Sequence, residues 1–154
     1  MSKRSLANFT ITVDSKEKTP WKFPQTTIKV ASLQKYGCDY AISGQLGIIG
    51  VERKSYSDYV RCLGKGWNGF IKQIEKLQSN QIYCLIVEGN LTDKIPRQSK
   101  MNHMAIMEQT TKLLVAGVPV LFAGKPSSAA KMCYKFFYQA LRRIRYEQKE
   151  LFDD

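Results

Sequence analysis

The chain has 154 residues, 44% of them hydrophobic, with 24 Lys and Arg against 13 Asp and Glu, for a net charge of +11. That length suits one domain with a good core. No stretch approaches the roughly 18 consecutive apolar residues that span a membrane, and the excess positive charge points to a polyanionic partner.

The first residues, Met1-Ser2-Lys3-Arg4, have no apolar segment behind them, so no secretion signal is expected. Residues 9–13 alternate enough for a first strand that ends at Asp14. Residues 16–27 contain Pro20 and Pro24 and predict a loop, with Trp21 and Phe23 available to pack. Residues 28–33 predict a short strand or a turn. Residues 39–42 and 48–54 then form a hairpin across Gly44 and Gly47. Ser55-x-x-Asp58 has the form of a capping box and opens a helix to about Leu63, where Gly64-Lys65-Gly66 interrupts it.

Trp67, Phe70, Ile71, Ile74 and Leu77 recur at helical spacing, which predicts a second helix. The nearly unbroken apolar run at 81–88 fits a buried central strand. A polar loop follows at 89–100, then a helix at 102–116 closed by Gly117, and a short strand at 118–123. In the last helix Met132, Cys133, Phe136, Phe137, Ala140, Leu141 and Ile144 form one apolar stripe. This order predicts an α/β fold, a central mixed β-sheet flanked by α-helices.

Cys38, Cys62, Cys84 and Cys133 include no Cys-x-x-Cys pair, and His103 is the single histidine. The expectation is reduced core thiols without zinc, in an intracellular setting: cytoplasm or nucleoid, or the nucleus of a eukaryote. No Gly-x-x-x-x-Gly-Lys-Ser/Thr pattern occurs, so no nucleotide is expected.

The chemistry gathers at Ile48-Ile49-Gly50-Val51-Glu52-Arg53-Lys54. Residues i and i+2 of a strand share a face, so Glu52 and Lys54 project together while Arg53 faces away, free to brace an acid such as Asp14 or Glu17. The hairpin brings Asp39 to the same end of the sheet. Two carboxylates beside an ammonium can hold Mg²⁺ or Mn²⁺ and steer a water, which is what phosphodiester hydrolysis requires. Asp39, Glu52 and Asp58 are the candidate metal ligands, and Lys54 the residue that positions or helps deprotonate the water. Asp58, Asp14 and Glu17 tune the site or bind a second ion. The bland readings are open alongside: Asp58 as a capping residue, Asp14 and Glu17 as a strand-end turn, Asp39 in an Asx turn, Glu88 as an ordinary strand terminus. Lys65, Lys72 and Lys76 lie on basic helical faces that could track a DNA backbone.

The string Val51-Glu52-Arg53-Lys54-Ser55-x-x-Asp58 resembles the Glu-Arg-Lys-x-x-x-Asp signature of the XPF-type structure-specific endonucleases. Val13-Asp14-Ser15-Lys16-Glu17 is similar to that family's early Asp-x-Arg-Glu element, with lysine for arginine, and Gly37-Cys38-Asp39-Tyr40 to its Gly-Asp-Tyr element, with Cys38 inserted. The resemblance implies a restriction-endonuclease-like fold, a metal-dependent endonuclease and an active-site role for Arg53. It also implies a polar residue near the scissile phosphate, here Gln73. It further implies cutting at flaps, forks or other single-strand/double-strand junctions in repair or recombination, and homodimerisation through the C-terminal helix. Residues 1–154 read as the nuclease domain only, without the tandem helix–hairpin–helix module that family members carry. Two alternatives stand beside this reading: a non-catalytic DNA-binding subunit of a nuclease complex, and a restriction or recombination nuclease of another lineage.

Overall fold

A computed structural model describes residues 8–24 and 26–146; the segment Met1–Arg4 considered above lies outside them. Six strands form one sheet: Ile11–Asp14 (β1), Ile28–Ala31 (β2), Tyr40–Ile42 (β3), Ile49–Ser55 (β4), Ile82–Glu88 (β5) and Val120–Phe122 (β6). Their order across the sheet is β2-β1-β3-β4-β5-β6. The β1–β3 and β3–β4 pairs are antiparallel and the remaining three parallel. The mixed sheet agrees with the α/β expectation, and the predicted hairpin is the β3–β4 pair.

Four helices cover the sheet: Tyr56–Leu63 (α1), Trp67–Leu77 (α2), His103–Val115 (α3) and Pro126–Arg145 (α4). Three of them start on a local sequence signal. The Ser55 hydroxyl accepts from the Asp58 N–H at the head of α1, and the Asn102 side chain accepts from the Ala105 N–H at the head of α3. At α4 a proline takes the first turn, where no N–H partner is needed.

The strands alternate, so the sheet separates two cores. Ile11, Val13, Tyr40, Ile42, Ile49, Val51, Cys84 and Ile86 face α4. Ala41, Leu85 and Val87 face the other way, onto α1, α2 and α3. The strand β4 pairs with β5 over its whole length, from Ile49 opposite Ile82 to Ser55 opposite Glu88. All four cysteines are free, and Cys38, Cys84 and Cys133 are core residues.

Two details differ from the sequence expectation. The α4 stripe is narrower than its apolar residues suggest. Ala129, Ala130, Cys133, Phe137, Ala140 and Leu141 bury against the sheet, whereas Met132 and Ile144 stand 42% and 41% exposed. A helix 3.6 residues per turn cannot turn all of those positions toward one flat surface. Between β2 and β3 the chain also forms a 3-10 turn, Gln34–Tyr36, closed by Gly37 in the left-handed region at φ 66°. A β-carbon there would sit 2.5 Å from the Leu77 N atom, so only glycine lets this turn approach the end of α2.

Candidate active site

Tyr40 pairs with Val51 across the hairpin, and one step further brings Asp39 opposite Glu52. The Asp39 N–H donates to the Val51 carbonyl at 2.9 Å, which fixes that step. Strand alternation then sorts the side chains. Glu52 and Lys54 share the face of α1 and α2, and the Lys54 Nζ lies 5.9 Å from the centre of the Phe70 ring of α2. Arg53 takes the α4 face, as its parity requires.

The Arg53 main chain nevertheless serves both acids. Its N–H donates to Asp39 Oδ2 at 2.9 Å and, more weakly, to Glu52 Oε1 at 3.3 Å. Glu52 is 1% exposed, and its second oxygen, Oε2, is buried with no hydrogen-bond partner. Burial holds the Glu52 carboxyl well above the usual carboxylate range, and the adjoining Asp39 carboxylate pushes it further, against the pull of the Lys54 ammonium. A buried carboxylate oxygen without a donor is a costly arrangement unless something else satisfies it. The donor chemistry is all oxygen and two carboxylates strong, which fits a hard divalent cation held by Asp39 and Glu52.

On the opposite face Arg53 is enclosed. Its Nη1 donates to Glu17 Oε2 at 3.1 Å, to the Thr19 carbonyl at 2.8 Å and to the Tyr40 hydroxyl at 3.3 Å. Its Nε donates to Glu88, and the guanidinium lies 4.9 Å from the centre of the Trp21 ring. Tyr40 donates in turn to Glu17, accepts from the Trp21 main-chain N–H, and stacks on the Trp21 ring at 4.6 Å. Burial raises the Glu17 carboxyl, and the Asp39 charge adds to it, while Tyr40 and Arg53 pull it down. Arg53 therefore ties the ends of β1, β3, β4 and β5 together.

Glu88 is a correction to its bland reading. It ends the strand beside β4 on the same face as Arg53, and it forms an ion pair there with both side chains mostly buried. An acid closing a buried strand next to the motif strand was the signal for it. Trp21 and Tyr40 gave no such signal, because aromatic residues between strands read as core.

Two other expectations also change. Asp14 does not meet Arg53. Its Oδ1 accepts from the Leu33 N–H at 2.8 Å, and its Oδ2 from Gln34 Nε2 at 2.8 Å and from the Lys16 N–H at 3.2 Å. It anchors the 3-10 turn to β1, which is the strand-end reading. Asp58 does not join Asp39 and Glu52. It sits in the first turn of α1, past the end of β4, and pairs with Arg61 at 2.8 Å. Among the described residues no three acidic, cysteine or histidine side chains converge as a metal set, so the pair Asp39 and Glu52 stands without Asp58.

The predicted DNA-contacting residues divide. Lys72, Gln73 and Lys76 of α2 line a groove of about 320 Å³ with Gln34 and Asp39, beside the acids. Lys65 lines a different groove, on the outer face of α1. The sequence reading put the three lysines on basic helical surface and the resemblance placed Gln73, but neither could say that α1 and α2 present separate surfaces.

The ERCC4 domain model matches residues 9–136. Among solved structures the chain is similar to XPF from Aeropyrum pernix, at 21% identity and a TM-score of 0.66, over 88% of this chain and 67% of that one. It is similar also to XPF from Aeropyrum pernix in complex with DNA, at 20% identity and a TM-score of 0.66, over 88% and 66%. The chain thus spans about two thirds of the length of those proteins. No curated protein sequence matches it.

Proposed function

Because the chain belongs to the ERCC4 domain family and has the fold of an XPF-type nuclease domain, we propose that it is a metal-dependent endonuclease acting on branched DNA. One observation carries the reading. Two carboxylates, Asp39 and Glu52, are held against each other with a buried Glu52 oxygen unpartnered, on the face that carries Lys54.

When bound, Mg²⁺ or Mn²⁺ supplies the positive charge that polarises a phosphodiester and acidifies water. Asp39 and Glu52 are the residues that would hold it. Lys54 offsets the negative charge that builds on the phosphate oxygens and orients the attacking water. Lys72, Gln73 and Lys76 receive the scissile strand along the groove that includes Asp39. Arg53 acts as a positioning residue, since its N–H aims Asp39 while its side chain clamps the strand end. The DNA complex of the structurally similar XPF supports DNA as the polymer. Self-association through α4 and a cellular role in repair or recombination belong to the same proposal.

The test is a panel of labelled linear, flap, fork and four-way DNA with Mg²⁺. Lys54→Ala is expected to lower the cleavage rate about 100-fold or more, and Glu52→Ala to abolish it, with DNA binding in EDTA retained. Undiminished cutting by either variant would refute the assignment. Tight binding without cutting by the native chain would make it a non-catalytic DNA-binding subunit.

A further inference from the structure

The groove that Lys65 lines is larger than the one beside the acids, about 600 Å³, and the two share no lining residue. It runs between the outer face of α1 and the loop at 96–101. Pro96 and Met101 give it apolar surface, with the buried Val60 beneath, and its rim carries Arg61, Lys65 and Lys100. The Arg61 side chain is 70% exposed and held by its pair with Asp58, whereas Lys65 and Lys100 have no ion pair among the described residues.

Position matters as much as chemistry. The loop at 96–101 continues the segment that leaves the end of β5, beside the end of β4, so the groove opens at the same end of the sheet as Glu52. The two grooves lie on different helices of a packed pair, one on α1 and the other on α2. A strand lying along α2 and the 3-10 turn touches none of the residues that line the groove of α1 and the 96–101 loop. A duplex keeps its base faces stacked inside, so an apolar floor gains less from it than from an unpaired strand. An unpaired strand exposes base faces that such a floor shields, while basic side chains track its backbone.

We infer that the groove of Arg61, Lys65 and Lys100 is a second nucleic-acid site that takes the single-stranded arm of a branched DNA while the first groove holds the strand to be cut. The inference rests on the nuclease reading above and explains how one domain would tell a junction from a plain duplex.

The experiment measures anisotropy of fluorescein-labelled fork and blunt duplex of equal paired length, in EDTA, over a salt series. The native chain is expected to bind the fork about 10-fold more tightly. Lys65→Glu with Lys100→Glu should bring the fork-to-duplex ratio near one. It should also flatten the salt dependence on the fork by about 1.4 in log–log slope, from two contacts at about 0.7 each. Lys72→Glu with Lys76→Glu should weaken both substrates and keep the ratio. A double variant at 65 and 100 that retains the fork preference, or that loses both substrates equally, overturns the second site while leaving the nuclease reading intact. A native chain that binds no DNA overturns both.

Discussion

At the scale of single residues, the site's main feature is an acid that the fold does not satisfy by itself. Glu52 is buried, lies against Asp39 and leaves one oxygen without a donor. Removing that charge should help the metal-free fold and ruin its response to metal. Glu52→Gln is expected to raise the thermal midpoint in EDTA by about 2–4 °C, the effect of roughly 1 kcal/mol in a domain of this size. Mg²⁺ should stabilise the native chain but not this variant. A lower midpoint in EDTA would mean that Glu52 is already satisfied. Arg53 is the opposite case, with both its Nε and Nη1 engaged by acceptors. Truncating one partner strands the other, so Glu88→Gln should cost about 1–3 kcal/mol in denaturant unfolding. A double-mutant cycle with Arg53→Lys should show coupling of the same order, and additive losses would argue against the clamp.

At the scale of elements, most of the fold was legible because its signals are local. The capping serine of α1, the 3.6-residue recurrence in α2, the apolar run of β5 and the hairpin of β3 and β4 each occupy a few adjacent residues. Asp39, Glu52 and Lys54 followed from the same local rules of pairing and alternation. What stayed hidden depends on partners far along the chain. The insertion of β1 between β2 and β3 is one case, and the turn at Gln34–Tyr36 that receives Asp14 is another. So is the pairing of Glu88 with Arg53, thirty-five residues apart in the chain. Gly37 shows how tightly such distant contacts are set. Gly37→Ala must place a β-carbon against the end of α2 at a positive φ, and should cost about 2–4 kcal/mol. Cleavage should fall with it, since the turn leads directly into Cys38 and Asp39. An unchanged unfolding midpoint would show that the turn can move away from α2.

At the scale of the whole molecule, the net charge of +11 and the two basic grooves support a polyanionic partner, and the proposed self-association would use the outer side of α4. Met132 and Ile144 remain exposed on a helix whose other face is fully engaged. Met132→Glu with Ile144→Glu should convert a dimer to a monomer in sedimentation velocity without lowering the thermal midpoint. A native chain that sediments as a monomer at all concentrations would remove this interface from the proposal.

The sheet that divides the two cores also divides the demands made on neighbouring residues of β4. Glu52 and Arg53 are adjacent in the chain yet sit in separate chemical compartments, one walled by α1 and α2, the other by α4 and the loop that carries Trp21. Changes on the α4 side away from Arg53 and its partners can therefore stiffen or loosen the scaffold without altering what the substrate meets. Changes on the other side can reshape substrate choice while the scaffold stays put. A protein engineer would find stability and selectivity in this domain governed by two nearly independent sets of positions.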